Sequence, residues 1–285
     1  MKVSTGVATL GVVAGLALVA RELDDYRQRS HRRASNAGVR HRAAVDVGGE
    51  PAPAGAHVAI VIAAYDEVDG IADVLDSLPE FLSDLPVRVV VVDDGSADGT
   101  AALAEAAGAS VAVHERNLGQ GDALRTGFQV ALDGGATVVV TMDADGQHDP
   151  AQLDDLVAPV VEGIADYVQG SRFLGEYDDA GSARDAGIRL FTTVINLVGR
   201  TSITDCTNGF RAIRADGLSR MRLEEDRFSA PELILEARHR GLVVLERPVH
   251  IRARDRGESK KPTRLGYPVG FARAVVEVRL RQLVD

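Results

Sequence analysis

The chain has 285 residues, 45% hydrophobic, 26% charged and only 4% aromatic, enough for one globular domain with a sizeable core plus an appendage. Its formal net charge of -10 argues against a general nucleic-acid binder, which needs a basic footprint. Cys206 is the only cysteine, so an internal disulfide and a thiolate metal cluster are both excluded.

The first fifty residues stand apart from this acidic body. Lys2, Arg21, Arg27, Arg29, Arg32, Arg33, Arg40 and Arg42 outnumber Glu22, Asp24, Asp25, Asp46 and Glu50. The run VSTGVATLGVVAGLALVA (Val3 to Ala20) is uncharged and mostly apolar, and just reaches the roughly 17–25 residues that cross a bilayer as a helix. The arginines after it would keep that flank in the cytoplasm. ALVA also resembles a signal-peptide cleavage site, but here the basic cluster follows the apolar run instead of preceding it. The expectation is an uncleaved N-terminal hydrophobic helix over 1–20, membrane association, and a cytoplasmic catalytic domain. Residues 21–56, rich in Arg, Gly, Pro and Ala, read as a linker, and 57–285 as the folded domain.

From His57 the pattern alternates between strand and helix. HVAIVIAAY reads as a strand and EVDGIADVLDSLPEFLS as a helix. RVVVVDDGS is a strand ending in a DG turn, followed by helical GTAALAEAAG. SVAVHE, helical GDALRTGFQVALDG, the strand TVVVTMDAD and helical DPAQLDDLVAPVVEG complete the first half. Continuous apolar strands separated by helices predict an α/β fold, three layers αβα, with a mostly parallel central sheet covered on both faces. The second half is less regular, with strands in ADYVQGSRF and GLVVLERPVHIRAR and helices near Ile188–Val198 and Pro231–Arg240. Ligands of such sheets bind beyond the carboxyl ends of the strands. Tyr65-Asp66-Glu67, Asp93-Asp94-Gly95-Ser96 and Asp143-Ala144-Asp145 all fall at that edge.

Asp143 and Asp145, two apart, would share one side of an extended strand end. Two close carboxylates call for a proton or a cation between them. Oxygen ligands alone select a hard ion such as Mg²⁺ or Mn²⁺, with open positions for substrate phosphates, and Gln147 could add a neutral oxygen. Asp149, followed by Pro150, reads instead as a helix N-cap with proline at N1. Alone, Asp-Ala-Asp-Gly is as readily an ordinary turn. Asp93-Asp94-Gly-Ser at a second buried strand end favours a site.

IVIAAYDE, VVVVDDGSADGT, NLGQGDALRTG, MDADGQHDP, GSRF, DCTNGFRA and the later RDRGESKKP resemble, in order, the GT-A glycosyltransferases of family 2, in the dolichyl-phosphate mannose or glucose synthase branch. The resemblance implies inverting transfer of one sugar, mannose or glucose, from a GDP- or UDP-sugar to a polyprenyl or dolichyl phosphate. Carried over by position, it implies a nucleotide-sugar site of Ala64, Tyr65, Glu67, Asp93, Asp94, Gly119, Gly121, Ala144, Arg256, Ser259 and Lys260. It also implies metal ligation by Asp143, Asp145 and Gln147, and acceptor-phosphate binding by Arg172, Arg189 and Thr193. Asp143, Asp145, Arg172 and Asp205 form the implied catalytic set. The chain departs from the family at Ala63-Ala64, where a proline is usual, and at Asp66, where an asparagine is usual, which leaves GDP or UDP open.

A phosphate acceptor is already ionised near neutral pH, so no general base is needed, and His148 reads as structural. Arg252–Arg264, rich in basic residues, could close over the pyrophosphate as a flap or be a solvated loop. Asp205 could touch a sugar hydroxyl or the acceptor, or cap its own turn. FARAVVEVRLRQLV, from Phe271, could lie on a membrane surface or pack on the body. No later apolar run is long enough to span, so no C-terminal transmembrane domain is expected. The competing readings are a family 2 enzyme with a hydroxyl acceptor, which would need a base such as Asp205, a metal-dependent nucleotidyltransferase, and a silent nucleotide-sugar binder.

Overall fold

The computed structural model describes residues 55–176, 182–226, 228–252 and 266–284. The helix expected over 1–20, the linker to residue 54, and Arg256, Ser259 and Lys260 lie outside them. Among the described residues no helix is long and apolar enough to cross a membrane. The fold and the site belong to the unit Val45–Arg279, and residues 280–284 fall outside it.

The strands are β1 (Val58–Ala64), β2 (Phe81–Leu82), β3 (Leu85–Asp93), β4 (Ser110–Val113), β5 (Val138–Asp143), β6 (Tyr167–Ser171), β7 (Arg211–Arg214) and β8 (Val244–Pro248). They form one sheet in the order β4-β3-β1-β5-β7-β6-β8, with β2 antiparallel to the start of β3. β4, β3, β1 and β5 run parallel, as do β6 and β8. β7 is antiparallel to both of its neighbours. The α/β expectation holds, but the sheet is mixed where a mostly parallel one was expected, and the internal antiparallel strand has no periodicity signal of its own.

The helices are α1 (Ile71–Asp76), α2 (Thr100–Ala106), α3 (Gln120–Asp133), α4 (Leu153–Val161), α5 (Ser182–Gly199), α6 (Ala215–Ser219), α7 (Ser229–His239) and α8 (Gly266–Gln282), with a 3₁₀ turn at Pro150–Gln152. Alternate strand residues feed two separate cores. Ile60, Ile62, Val91 and Val140 pack with Ile71 of α1, Ala104 of α2 and Leu156 of α4. Val61, Val92 and Val139 pack with Phe128 of α3, Ile195 of α5, Leu233 of α7 and Phe271 of α8. Burial on both faces is why these strands read as unbroken apolar runs.

Two expectations change. The helix expected across Glu67–Ser83 stops at Asp76, because Pro79 lacks the N–H a continuing turn needs and Ser83 and Asp84, at φ 46 and 64, reverse the chain into β3. In the C-terminal helix Phe271, Ala274, Val275 and Val278 are buried, and the Phe271 ring stacks on Phe191 at 4.3 Å. That apolar side therefore packs on the body and is not open to a membrane.

Candidate active site

Strand register lines up the acids. Ala64 of β1 lies opposite Asp93 of β3, and Ala63 lies opposite Asp143 of β5. All sit at the carboxyl rim of parallel strands, where helix and strand ends leave an open crevice.

Asp143 ends β5 with its side chain 37% exposed. Gln120, at the start of α3, donates its amide to Asp143 Oδ1 at 3.2 Å. Gly209 backs the same carboxylate: a Cβ there would lie 2.8 and 3.0 Å from its two oxygens, so only glycine lets the turn come this close. Asp145 is beyond the strand, in a turn reversed by Gly146 (φ 73), and accepts the Gln147 N–H at 3.1 Å. The two acids thus straddle a strand end and a turn, where the sequence suggested that both share one side of an extended strand end. Asp149 caps as expected, accepting from the Ala151 N–H at 3.1 Å ahead of Pro150.

His148 lies beneath this turn, 4% exposed and stacked on Phe210 with centroids 4.7 Å apart. Its Nδ1 accepts the Asp143 N–H at 3.1 Å, which leaves Nε2 to donate to Asn208 Oδ1 at 3.2 Å. Burial lowers its pKa, so the ring is neutral and serves as a strut. Gln147 donates its side-chain amide to the Arg252 carbonyl at 3.0 Å, which holds the chain after β8.

Among the described residues no group of three His, Cys, Asp or Glu could hold a metal ion. Two rim carboxylates suit Mg²⁺ or Mn²⁺ only where a ligand's oxygens complete the shell, and they do not suit a closed structural site. The donor set therefore fits a substrate-completed ion.

The DDGS acids turn inward. Asp93, 2% exposed, accepts the Ser96 N–H at 2.8 Å. Asp94 accepts from His114 Nδ1 at 2.7 Å and from the Leu118 and Gly119 N–H groups at 2.9 and 2.8 Å. It braces the loop that delivers Gln120. Gly121 is pressed against the Glu225 carbonyl, only 1.8 Å from where a Cβ would stand, so it answers a packing demand. Ala144 is buried in the turn, Tyr65 is 36% exposed, and the Asp94 N–H donates to the Ala64 carbonyl at 2.8 Å. The Glu67 N–H donates to Thr100 Oγ1, and the Asp66 N–H to Ser96 Oγ, each at 2.9 Å. The loops after β1 and β3 are thereby joined into one wall.

Arg172 follows β6 at 8% exposure and donates Nε to Asp205 Oδ2 at 2.6 Å. Asp205 is fully buried, and its Oδ1 accepts from the Thr207 N–H at 3.0 Å and hydroxyl at 3.1 Å. Both carboxylate oxygens are therefore occupied. Glu246 of β8 accepts the Thr204 and Asp205 N–H groups and so fixes this loop; its own burial raises its pKa. Arg189 lies 4.2 Å over the ring of Phe173, the neighbour of Arg172, and the Thr193 hydroxyl donates to the Arg189 carbonyl at 2.8 Å.

Residues 59–222 match the family described as Glycosyl transferase family 2. The chain belongs to that family. This family 2 glycosyltransferase is 33% identical to an undecaprenyl-phosphate mannosyltransferase of Micrococcus luteus, over 71% of this chain and 86% of that protein. It is 29% identical to a dolichyl-phosphate hexose transferase of Haloferax volcanii, over 79% of this chain and 96% of that one. Its fold resembles the glucosyl-3-phosphoglycerate synthase of Mycobacterium tuberculosis, crystallised with Mn²⁺, UDP-glucose and phosphoglyceric acid. That likeness has a TM-score of 0.61 at 19% identity and covers 84% of this chain and 88% of that one.

The glycosyltransferase's site also contains residues that sequence reading left without a role: Gln120 meets Asp143, and Ser96 and Thr100 bond the wall. Gly209, expected from the sequence to shape a tight turn with Asn208, also backs the Asp143 carboxylate. NLGQG and TNGF were the available signals. Their meeting point on one carboxylate, at sequence separations of 23 and more, was not.

Proposed function

We propose that this glycosyltransferase moves a single hexose, mannose or glucose, from a GDP- or UDP-sugar to a polyprenyl or dolichyl phosphate, with inversion, at a membrane. The observation carrying the reading is the Arg172–Asp205 pair. A buried arginine after β6 is held by Asp205 and Thr207. Both oxygens of its carboxylate partner already accept hydrogen bonds, which speaks against that carboxylate as a base. The undecaprenyl- and dolichyl-phosphate acceptors named for its relatives support the same choice.

In the proposed reaction the anomeric bond to the nucleotide's phosphate oxygen breaks and one forms to an acceptor phosphate oxygen on the opposite face. The acceptor phosphate is a dianion near neutral pH, so no proton need be removed. Asp143 and Asp145 would hold the Mg²⁺ or Mn²⁺, which when bound neutralises charge on the departing diphosphate. Gln120 fixes the Asp143 carboxylate, and His148 fixes its backbone. Arg172 supplies a rigid donor fork for a phosphate, kept in place by Asp205. Tyr65 and Glu67 would contact the nucleotide, and Asp93, buried against the Ser96 N–H, would shape the wall behind it. Arg256 and Lys260 would add cations, and Ser259 a hydroxyl, from beyond the described residues.

Labelled transfer from a panel of GDP- and UDP-sugars to polyprenyl phosphate tests this. A mild-acid-labile lipid product, absent with EDTA and in Asp145→Ala, is expected. A chelator-resistant product removes the metal. Transfer only to hydroxyl acceptors, or release of inorganic pyrophosphate, would move the enzyme to another class.

A further inference from the structure

The amino end of α3, which brings Gln120 to Asp143, has no side-chain cap, and its N-cap residue is Gly119. Asp94 holds the chain as far as Gly119, through the Leu118 and Gly119 N–H groups. From there a distant segment takes over. The Gly121 N–H donates to the Asp226 carbonyl at 2.6 Å. Arg125 donates Nη1 to the Glu225 carbonyl at 2.9 Å and Nη2 to Asp226 Oδ1 at 3.1 Å. A first-turn N–H has no partner within its own helix, so the Asp226 carbonyl supplies one. Gly121 permits this approach, since the Glu225 carbonyl leaves no room for a Cβ.

The strap formed by residues 222–226 is fixed from its other side by two buried carboxylates of α7. Glu232, 1% exposed, accepts the Glu224 and Glu225 N–H groups on its two oxygens, at 2.8 and 3.0 Å. Glu236 accepts the Arg222 N–H at 2.9 Å. Burying an acid is costly unless donors meet it, and an apolar side chain would seat α7 on the body as well. What the acids add is a fixed strap, with N–H groups held by α7 and carbonyls offered to α3. The path from Glu232 to Asp143 runs through Glu225, Asp226, Gly121 and Gln120, and none of its hydrogen bonds exceeds 3.2 Å. Ser229 and Ala230, at the start of α7, line the same cavity as Gln120 and Asp143.

We propose that Glu232 is a positioning residue for the Asp143 carboxylate, acting through the strap and the amino end of α3 to set where Gln120 meets it. Glu232 touches no reacting atom. Asp143 stands at an open edge, so a loose α3 would leave its carboxylate free to turn away from the place where an ion is held. A purely structural role, seating α7 on the body, would act on stability alone and would not pass through Gln120. The proposal rests on the metal reading of Asp143, whereas the strap is a matter of geometry alone.

The test compares the full chain with Glu232→Gln, Gln120→Ala and the double variant by electron paramagnetic resonance of Mn²⁺. Affinity is read with GDP and with UDP in turn, and no turnover is needed. Glutamine keeps the shape of Glu232 but turns one oxygen into a donor, set against the Glu224 or Glu225 N–H. Each single variant should weaken Mn²⁺ binding about tenfold, and the double variant no further than Gln120→Ala alone. Losses that multiply in the double variant overturn the proposal, because Glu232 would then act by another route. Parent-like affinity in Glu232→Gln overturns it too. Amide hydrogen exchange at Gly121, without metal, reads the strap directly: it should quicken several-fold in Glu232→Gln, and unchanged exchange overturns the proposal. If Glu232→Gln does not fold, Arg125→Met cuts the strap from the α3 side, at a side chain 25% exposed, and the same outcomes apply to it. A parent chain that takes up no Mn²⁺ with either nucleotide overturns the metal reading itself, a failure distinct from variants that bind as the parent does.

Discussion

Asp205→Asn tests whether a buried carboxylate aims Arg172 or serves the chemistry itself. The pair is 2.6 Å apart, with side chains 9% and 0% exposed, so solvent screens it little. At an effective dielectric of 20 its gross attraction is roughly 6 kcal/mol, most of it offset by desolvation. Removing one partner leaves the arginine buried without a counter-charge, which costs about 3–5 kcal/mol. Asparagine cannot repair this. Asp205 accepts on both oxygens, from Arg172 Nε and from the Thr207 N–H and hydroxyl, so an amide nitrogen on either side opposes donor to donor. For a domain of this size the expected fall in melting temperature is roughly 6–20 °C. Below that temperature, transfer kinetics should show a raised KM for the phosphate acceptor with the donor KM little changed. The reasoning fails if the variant melts with the parent protein. It fails equally if kcat alone drops and an acidic limb in the parent's pH profile disappears, since that would make Asp205 a base.

Gly209→Ala should fold and melt near the parent protein yet lose activity, because its Cβ would press within 2.8 Å of an Asp143 oxygen. A displacement of about 1 Å at a carboxylate proposed to hold the metal can cost on the order of 100-fold in rate, read as kcat/KM, and full activity would refute the contact. Cys206 should resist thiol reagents in the native protein at pH 8, since burial pushes its pKa up to about 12 and leaves the thiol protonated. One thiol per chain should then react on unfolding in urea, and rapid native labelling would contradict the burial.

The parallel sheet was legible because its signal is local. Val58–Ala64, Val89–Asp93 and Val138–Asp143 are apolar on both faces, and each run ends abruptly at the rim. Side-chain alternation with a period of two sends their residues to both cores whatever lies elsewhere in the chain. Asp143 and Asp145 could be found the same way, since a strand end followed by a turn is written in adjacent residues. The antiparallel β7 was not legible, nor were the partners that decide what each acid does. Asp94 and Asp143 look alike as text, each at or next to the end of an apolar strand. Tertiary contacts separate them: His114, Leu118 and Gly119 close around Asp94, while Gln120 and Gly209 hold Asp143 at an open edge. Whether a carboxylate is a strut or a ligand depends on which donors reach it and how much water remains, and distant segments supply both only once the chain has folded.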